Sequence, residues 1–181
     1  MKLDKGVKLP DFEYLSPYAD GKKSFSDFSG GKKTFLVFLR YYGCTVCRLD
    51  LHIYGQRFNE FASKGVNLGV VLQSDPALVA KEAPEGTFPF EIMCDPSQGL
   101  YEQFEIKPAK NMLALVGGSL PKALKKMKAA KSFGFEHGEY EGNEQQLPAM
   151  FLIGEDGTVL FSHYAKSLAD LPDVDSMLAM I

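Results

Sequence analysis

The feature that most constrains this chain is the succession, between Thr34 and Phe61, of a short apolar run, a Cys-x-x-Cys pair and an amphipathic period. Thr34-Phe35-Leu36-Val37-Phe38-Leu39 is rich in strand formers and long enough for a central strand covered on both faces. From Cys47 onward, apolar residues recur at Leu51, Tyr54, Phe58 and Phe61, a spacing that places them on one face of a helix. Cys44 and Cys47 therefore fall where a strand ends and a helix begins. Unpaired backbone N–H groups and the positive end of the helix dipole favour an anion there, and a thiolate is that anion. Helix N-termini and Cys-x-x-Cys spacing lower a thiol pKa by roughly one to five units.

Two cysteines three apart in a first helical turn can close a small disulfide ring. One thiol can attack a disulfide or a peroxide, and the other can displace the product or condense with a sulfenic acid. The same spacing also makes a zinc half-site. The residues that could complete one are Cys94, His52, His137 and His163, with carboxylates, and no second Cys-x-x-Cys is present. The strand-then-helix context favours redox chemistry over a metal site, so no metal and no cofactor is expected.

At 181 residues, 45% hydrophobic and 24% charged, the chain suits one domain over 1–181. No run approaches the roughly 18 apolar residues that span a bilayer. The start, MKLDKGVKLPDF, lacks the apolar core of a secretory signal, which gives a cytoplasmic expectation in which a Cys-x-x-Cys is more often catalytic than a staple. A net charge of -3 and a pI near 5.6 argue against a nucleic-acid partner.

Along the chain, residues 1–33 read as a lead-in, with weak alternation over Leu9–Leu15, a turn at Asp20-Gly21 and a helical turn or loop near Phe25. Gly65 stops the main helix, and Val66–Leu72 is a second buried strand, joined by a right-handed parallel crossover. Pro76 opens a helix to about Glu82, Phe88–Asp95 is a strand, and Pro96–Phe104 a short helix. Cys94, mid-strand, reads as a buried apolar cysteine. Residues 107–146 form an insertion with seven lysines between Lys107 and Lys131 and an apolar stripe at Leu113, Val116, Leu120, Leu124 and Met127. The expectation is a helix packed by that stripe, its charge partly neutralised by the four glutamates between Glu136 and Glu144. A basic surface for a membrane or acidic partner is the sharper alternative. Leu147–Ile153 and Thr158–His163 flank an Asp-Gly turn, a hairpin signal, and a closing helix follows Asp173.

These pieces resemble the thioredoxin superfamily, and within it peroxiredoxin-like proteins of the AhpC/TSA type. The resemblance is carried by LPDFEYLSPYADGKKSFSDF, TFLVFLRYYGCTVCRLDL, FPFEIMCDPSQGLYEQFEI and LPAMFLIGEDGTVLF. It implies an α/β, thioredoxin-like fold: a central mixed sheet flanked by helices, an N-terminal hairpin extension, and a helical insertion before the last hairpin. Where peroxiredoxins carry Pro-x-x-x-Thr-x-x-Cys, laying Cys47 on the last position puts Cys44 at the threonine. The arginine that the family carries before the later strand is replaced by Leu147-Pro148. Pro148 matches instead the cis-proline of thioredoxin-like proteins, which implies a cis Leu147–Pro148 bond and a groove in which an extended substrate pairs with Leu147.

The implied function is a thiol-dependent oxidoreductase with an antioxidant role, cycling Cys44 and Cys47 between dithiol and disulfide, with Pro148 shaping the site. Cys44 would be the exposed nucleophile and Cys47 its partner, or, in a peroxidase, the two roles reversed. The substrate is a peroxide or a protein disulfide, the reductant a thioredoxin or glutathione system, and a homodimer is possible within the family. Arg40 and Arg48 flank the cysteines and could lower a thiolate pKa. His52 lies about 140° round the helix from Cys47, which disfavours a Cys-His pair, and His163 reads as structural. The alternatives are a thioredoxin- or TlpA-like disulfide reductase and a non-catalytic module holding a metal or protein partner.

Overall fold

A computed structural model describes residues 1–117 and 120–181 of the chain. In chain order it forms β1 (Glu13–Leu15), β2 (Lys22–Ser24), α1 (Phe25–Ser29), β3 (Thr34–Phe38), α2 (Thr45–Ala62), β4 (Asn67–Leu72) and α3 (Pro76–Glu82). Then follow β5 (Glu91–Cys94), α4 (Gly99–Gln103), α5 (Met112–Gly117), α6 (Leu120–Ser132), β6 (Ala149–Ile153), β7 (Val159–Tyr164) and α7 (Val174–Leu178). The strands make one mixed sheet in the order β2-β1-β5-β4-β3-β6-β7. β3 runs parallel to β4 and antiparallel to β6, so it is the strand that both halves of the sheet share.

Every residue of β3 is buried. Its alternation sends Phe35 and Val37 to one face and Leu36 and Phe38 to the other. The first face meets α2, through Leu51, Tyr54 and Phe61, and α7, through Val174 and Met177. The second meets the lead-in and α4, where Phe12, Phe25, Tyr101 and Phe104 pack on Phe38 and Phe151. The Tyr101 hydroxyl donates to the Leu39 carbonyl at 2.6 Å and fastens that layer to the end of β3. Gly65, with φ of 69°, ends the turn after α2 as its position suggested. The lead-in forms the expected hairpin, which pairs with β5 at Leu15 and Cys94 and reaches Glu91 of the same strand through the Tyr14 hydroxyl and Lys23.

The insertion departs from expectation. Leu113, Leu120, Leu124 and Met127, the stripe expected to be buried, are exposed, Leu113 by 76%. The residues that α6 buries are Ala123 and Ala130, and beside them Lys126 donates to Asp50 of α2 at 2.6 Å. Small side chains bring α6 close to α2 and the ion pair fixes its register, so the contact face is short-chained and polar where periodicity alone pointed to the long apolar residues. Residues 118–119, inside the span of that stripe, lie outside the described residues. The glutamates also do more than neutralise lysines: Glu141 accepts from Ser74 Oγ at 2.6 Å and from the Asp75 N–H at 2.9 Å, holding the acidic segment to the end of β4.

Burial raises the Asp50 pKa, and Lys126 opposes that rise. Replacing Lys126 with Met leaves the carboxylate buried without its cation, and urea unfolding at neutral pH should report a loss of about 1–3 kcal/mol, below the value for a fully buried pair because Lys126 is partly exposed. Adding Asp50→Asn should recover most of that loss; no recovery would show that the packing of Lys126, and not its charge, joins the helices.

Candidate active site

β3 delivers the chain to Arg40, whose carbonyl accepts from the Gln73 N–H at 2.8 Å and keeps the strand ends of β3 and β4 together. After Tyr41, Tyr42 and Gly43, α2 starts with Cys44 as its N-cap, in extended conformation. The helix thus begins two residues before Cys47, and Cys44 is its cap, accepting from the Cys47 N–H at 3.4 Å.

Both cysteines are only 2% exposed, which corrects the expectation of an exposed Cys44. They are free thiols, with the Cys47 S–H donating to Cys44 Sγ at 2.8 Å. Arg40 Nη1 donates to Cys44 Sγ at 3.6 Å. For Cys44 burial is the largest influence and raises the pKa. It is outweighed by the Cys47 S–H, the Arg40 charge and the N–H groups of Cys47 and Val46, which bring the thiol down to about 7. For Cys47 burial again leads, and donation to Cys44 adds to it, so this thiol stays protonated well above the ordinary range. Equal burial with opposite donors thus favours the thiolate at Cys44 and keeps Cys47 as its hydrogen-bond donor.

The two arginines separate in role. Arg40 is 6% exposed, stacks over Tyr41 at 5.0 Å and leaves its Nε without a hydrogen-bond partner among the described residues. Arg48 donates from Nε to the Tyr42 carbonyl and from Nη2 to Glu82 at 3.2 Å, which fixes the loop before the cysteines.

A chamber of about 230 Å³ opens on Cys44. β3 and the start of α2 supply Arg40, Tyr41, Thr45 and Val46; the insertion supplies Met112, Leu115, Val116, Met127, His137, Tyr140 and Glu144. The insertion crosses the cysteines at Gly43, whose carbonyl accepts from the Gly138 N–H at 2.8 Å. A side chain at Gly43 would collide with the Glu139 carbonyl, so glycine is required for this crossing. Tyr41 Oη lies 3.0 Å from His137 Nε2. From the sequence, His137 stood out only as a metal candidate and Tyr41 not at all. The signal that could have found them is the pair of glycines, Gly43 and Gly138, one before the cysteines and one after the histidine.

The remaining candidates lie elsewhere. The Leu147–Pro148 bond is trans, against the cis expectation; the family analogy located the proline but not its isomer. Pro148 lines a separate cavity with Ile106, Leu147 and Tyr164, and its carbonyl accepts from the Ala165 N–H at 3.1 Å. The Leu147 carbonyl accepts from the Gln146 side chain at 3.1 Å. His52 faces Phe133, ring centroids 4.6 Å apart, and lines a cavity of about 420 Å³ with Tyr42, Arg48 and Phe88. His163 bonds the Asp170 carbonyl at 2.5 Å. Burial pushes the Cys94 thiol up to about 12. Among the described residues, no three His, Cys, Asp or Glu side chains gather as a metal site, and no helix is long and apolar enough to cross a membrane.

Solved structures similar to the chain share its thioredoxin-like fold. Peroxidoxin BcpB from Mycobacterium tuberculosis is 17% identical, with a TM-score of 0.67 over 98% of this chain and 96% of that one. A protein assigned as the thiol:disulfide interchange protein DsbE of Chlorobium tepidum is 20% identical, with a TM-score of 0.61 over 99% of each chain. Reduced 2-Cys peroxiredoxin of Plasmodium vivax is 17% identical, with a TM-score of 0.66 over 96% of this chain and 78% of that one. No curated protein matches the sequence. The AhpC/TSA family profile, however, matches residues 6–162, from the lead-in through both cysteines and the last hairpin, and the chain belongs to the AhpC/TSA family.

Proposed function

We propose that this thiol oxidoreductase is a peroxidase for small peroxides, with Cys44 as the attacking sulfur and Cys47 as the resolving one. The observation that carries the reading is the low-pKa Cys44 sulfur at the floor of a chamber of about 230 Å³. A small oxidant fits that space. A disulfide in a folded protein would have to bring its sulfur atoms into contact with a residue that is 2% exposed. The same steric argument favours a small thiol over a protein as the regenerating reductant.

The Cys44 thiolate attacks the terminal oxygen of ROOH. An S–O bond forms, the O–O bond breaks, and RO⁻ leaves and takes up a proton to become ROH. Cys47, 2.8 Å away, then condenses with the sulfenic acid: the S–S bond forms, and the thiol proton and the sulfenic hydroxyl leave as water. Two equivalents of an external thiol return the disulfide to the dithiol. Arg40, with no carboxylate in ion-pair contact among the described residues, holds the thiolate before attack and faces the peroxide oxygens during it. Pro148 has a structural place in this scheme, at the start of β6.

Single-turnover kinetics with hydrogen peroxide test the assignment. Cys47→Ser should still consume one equivalent and stop at the sulfenic acid, detected by mass spectrometry, whereas Cys44→Ser should lose at least about a hundredfold in rate. The reverse pattern would give the attack to Cys47. Quick exchange of the wild-type dithiol with a protein disulfide, together with sluggish peroxide oxidation, would make the chain a disulfide reductase.

Because the thiolate is the reactive form and the Cys44 pKa is about 7, the rate should climb with pH below that value and level off above it. Arg40→Met removes a stabilising charge, so the midpoint of thiolate ultraviolet absorbance should move to higher pH. The rate at neutral pH should then drop, approaching about tenfold for each pH unit by which the midpoint rises. An unmoved midpoint would show that the helix N-terminus and Cys47 suffice without Arg40.

A further inference from the structure

The peroxidase cycle proposed above leaves one proton unaccounted for. Thiolate, thiol and ROOH give a disulfide, water and RO⁻, so both hydrogens of the reactants end in the water, and RO⁻ must be protonated from outside that set. For hydrogen peroxide the leaving group is hydroxide, the conjugate base of an acid with a pKa of about 15.7, and its departure into a buried chamber is slow unless a donor stands there. Cys47 cannot be that donor, because its proton is committed to the water of condensation. Arg40 supplies charge and hydrogen bonds but keeps its protons.

We propose that Tyr41 and His137 form a proton path that protonates the oxygen leaving the peroxide at Cys44. Both residues line the chamber with Cys44. Tyr41 is 0% exposed and comes from the end of β3, whereas His137 is an exposed residue of the insertion. The path therefore runs from solvent to the buried sulfur across the two parts of the chain that build the chamber.

The hydrogen bonds fix how it works. His137 Nδ1 lies 2.8 Å from the Gly138 carbonyl, which can only accept, so Nδ1 carries a hydrogen. In the neutral ring Nε2 is then an acceptor, and the Tyr41 hydroxyl donates to it across 3.0 Å. When solvent protonates His137, Nε2–H becomes the donor to Tyr41 Oη. Arg40 Nη2 already donates to the same oxygen at 3.4 Å. With both lone pairs of Oη engaged, its own hydrogen is released from His137 and turns into the chamber. As RO⁻ leaves, the Tyr41 proton passes to it and the His137 Nε2 proton passes to Tyr41, which yields ROH and neutral His137. Burial holds the Tyr41 hydroxyl protonated well above the ordinary tyrosine range, with Arg40 opposing and the cysteines adding, so a proton is present to give. Tyr41 is the catalytic residue in this step, and His137 acts through it.

This inference rests on the peroxidase reading, and the choice of oxidants separates the two. A proton donor matters when the leaving group is strongly basic, as with hydrogen peroxide, and hardly matters for peracetic acid, whose leaving carboxylate is the base of an acid with a pKa of about 4. Single-turnover oxidation of the full chain would be measured with both oxidants for wild type, Tyr41→Phe, His137→Gln and the double variant. The ratio of the hydrogen peroxide rate to the peracetic acid rate cancels any change in folding or in thiolate fraction. Each single variant should lower that ratio by about tenfold to a hundredfold, within the reach of general acid catalysis, and the double variant should be no worse than Tyr41→Phe alone because the two act in series. Equal slowing with both oxidants, or no slowing with either, overturns the path. Wild type inert toward both oxidants would instead defeat the peroxidase reading.

Discussion

A buried guanidinium beside a buried sulfur is the contact on which the rest of this site depends. Taking an arginine out of water costs several kcal/mol unless an anion or a set of acceptors offsets it. Arg40 has no ion pair among the described carboxylates, and its donors go to Cys44 Sγ and Tyr41 Oη. Its charge is therefore balanced to the extent that Cys44 is ionised, and the Cys44 thiolate is tolerated to the extent that Arg40 is near. Each group makes the burial of the other bearable. The pairing needs Arg40 just past the end of β3 and Cys44 as the cap of α2, and three residues lie between them. That short span fixes the geometry from the central strand, the best-buried element in the molecule.

The insertion is what covers the pair. It is clamped by contacts of different kinds: Gly138 across Gly43, Glu141 on Ser74 and Asp75, the Asn143 N–H on Gln73 Oε1 at 2.8 Å, and Lys126 on Asp50. Three of these grip the C-terminal ends of β3 and β4 or the loops just beyond them, and the fourth grips α2 from the side. An electrostatic contact between Arg40 and Cys44 is stronger at their buried positions than it would be in water. The covering that limits access is thus also what gives the Arg40 charge its effect on the sulfur.

How much of this could be read from residues alone follows from the range of the interactions. The strand, the junction and the helix were legible because they are local: Thr34–Leu39 is the near-continuous apolar run of a strand buried on both faces, and Cys44 and Cys47 stand where a helix must start. The burial of Cys44 was not, because it is imposed by a segment about ninety residues later in the sequence, which periodicity cannot connect to it. The stripe of Leu113, Leu120, Leu124 and Met127 misled for a related reason. Amphipathicity identifies a face, but the neighbour selects it, and α2 offered Asp50 and room for alanines instead of an apolar groove. Pro148 was located by family position, and its trans bond belongs to this chain.

The order of attack proposed for the two cysteines rests on their donors and not on their depth. Both are about equally buried, and burial alone would raise both thiols together. The symmetry is broken by position on the helix. Cys44, as the N-cap, receives N–H groups and an arginine; Cys47, three residues on, is inside the first turn, where its own N–H is already directed at Cys44. Its S–H then has one good acceptor, the Cys44 sulfur, and giving that hydrogen bond stabilises the thiolate further while making Cys47 harder to ionise. The same bond that favours the Cys44 thiolate also holds the Cys47 thiol protonated and in contact. In the peroxidase cycle proposed above, the proton that leaves with the sulfenic hydroxyl as water is therefore on Cys47 before the oxidant arrives.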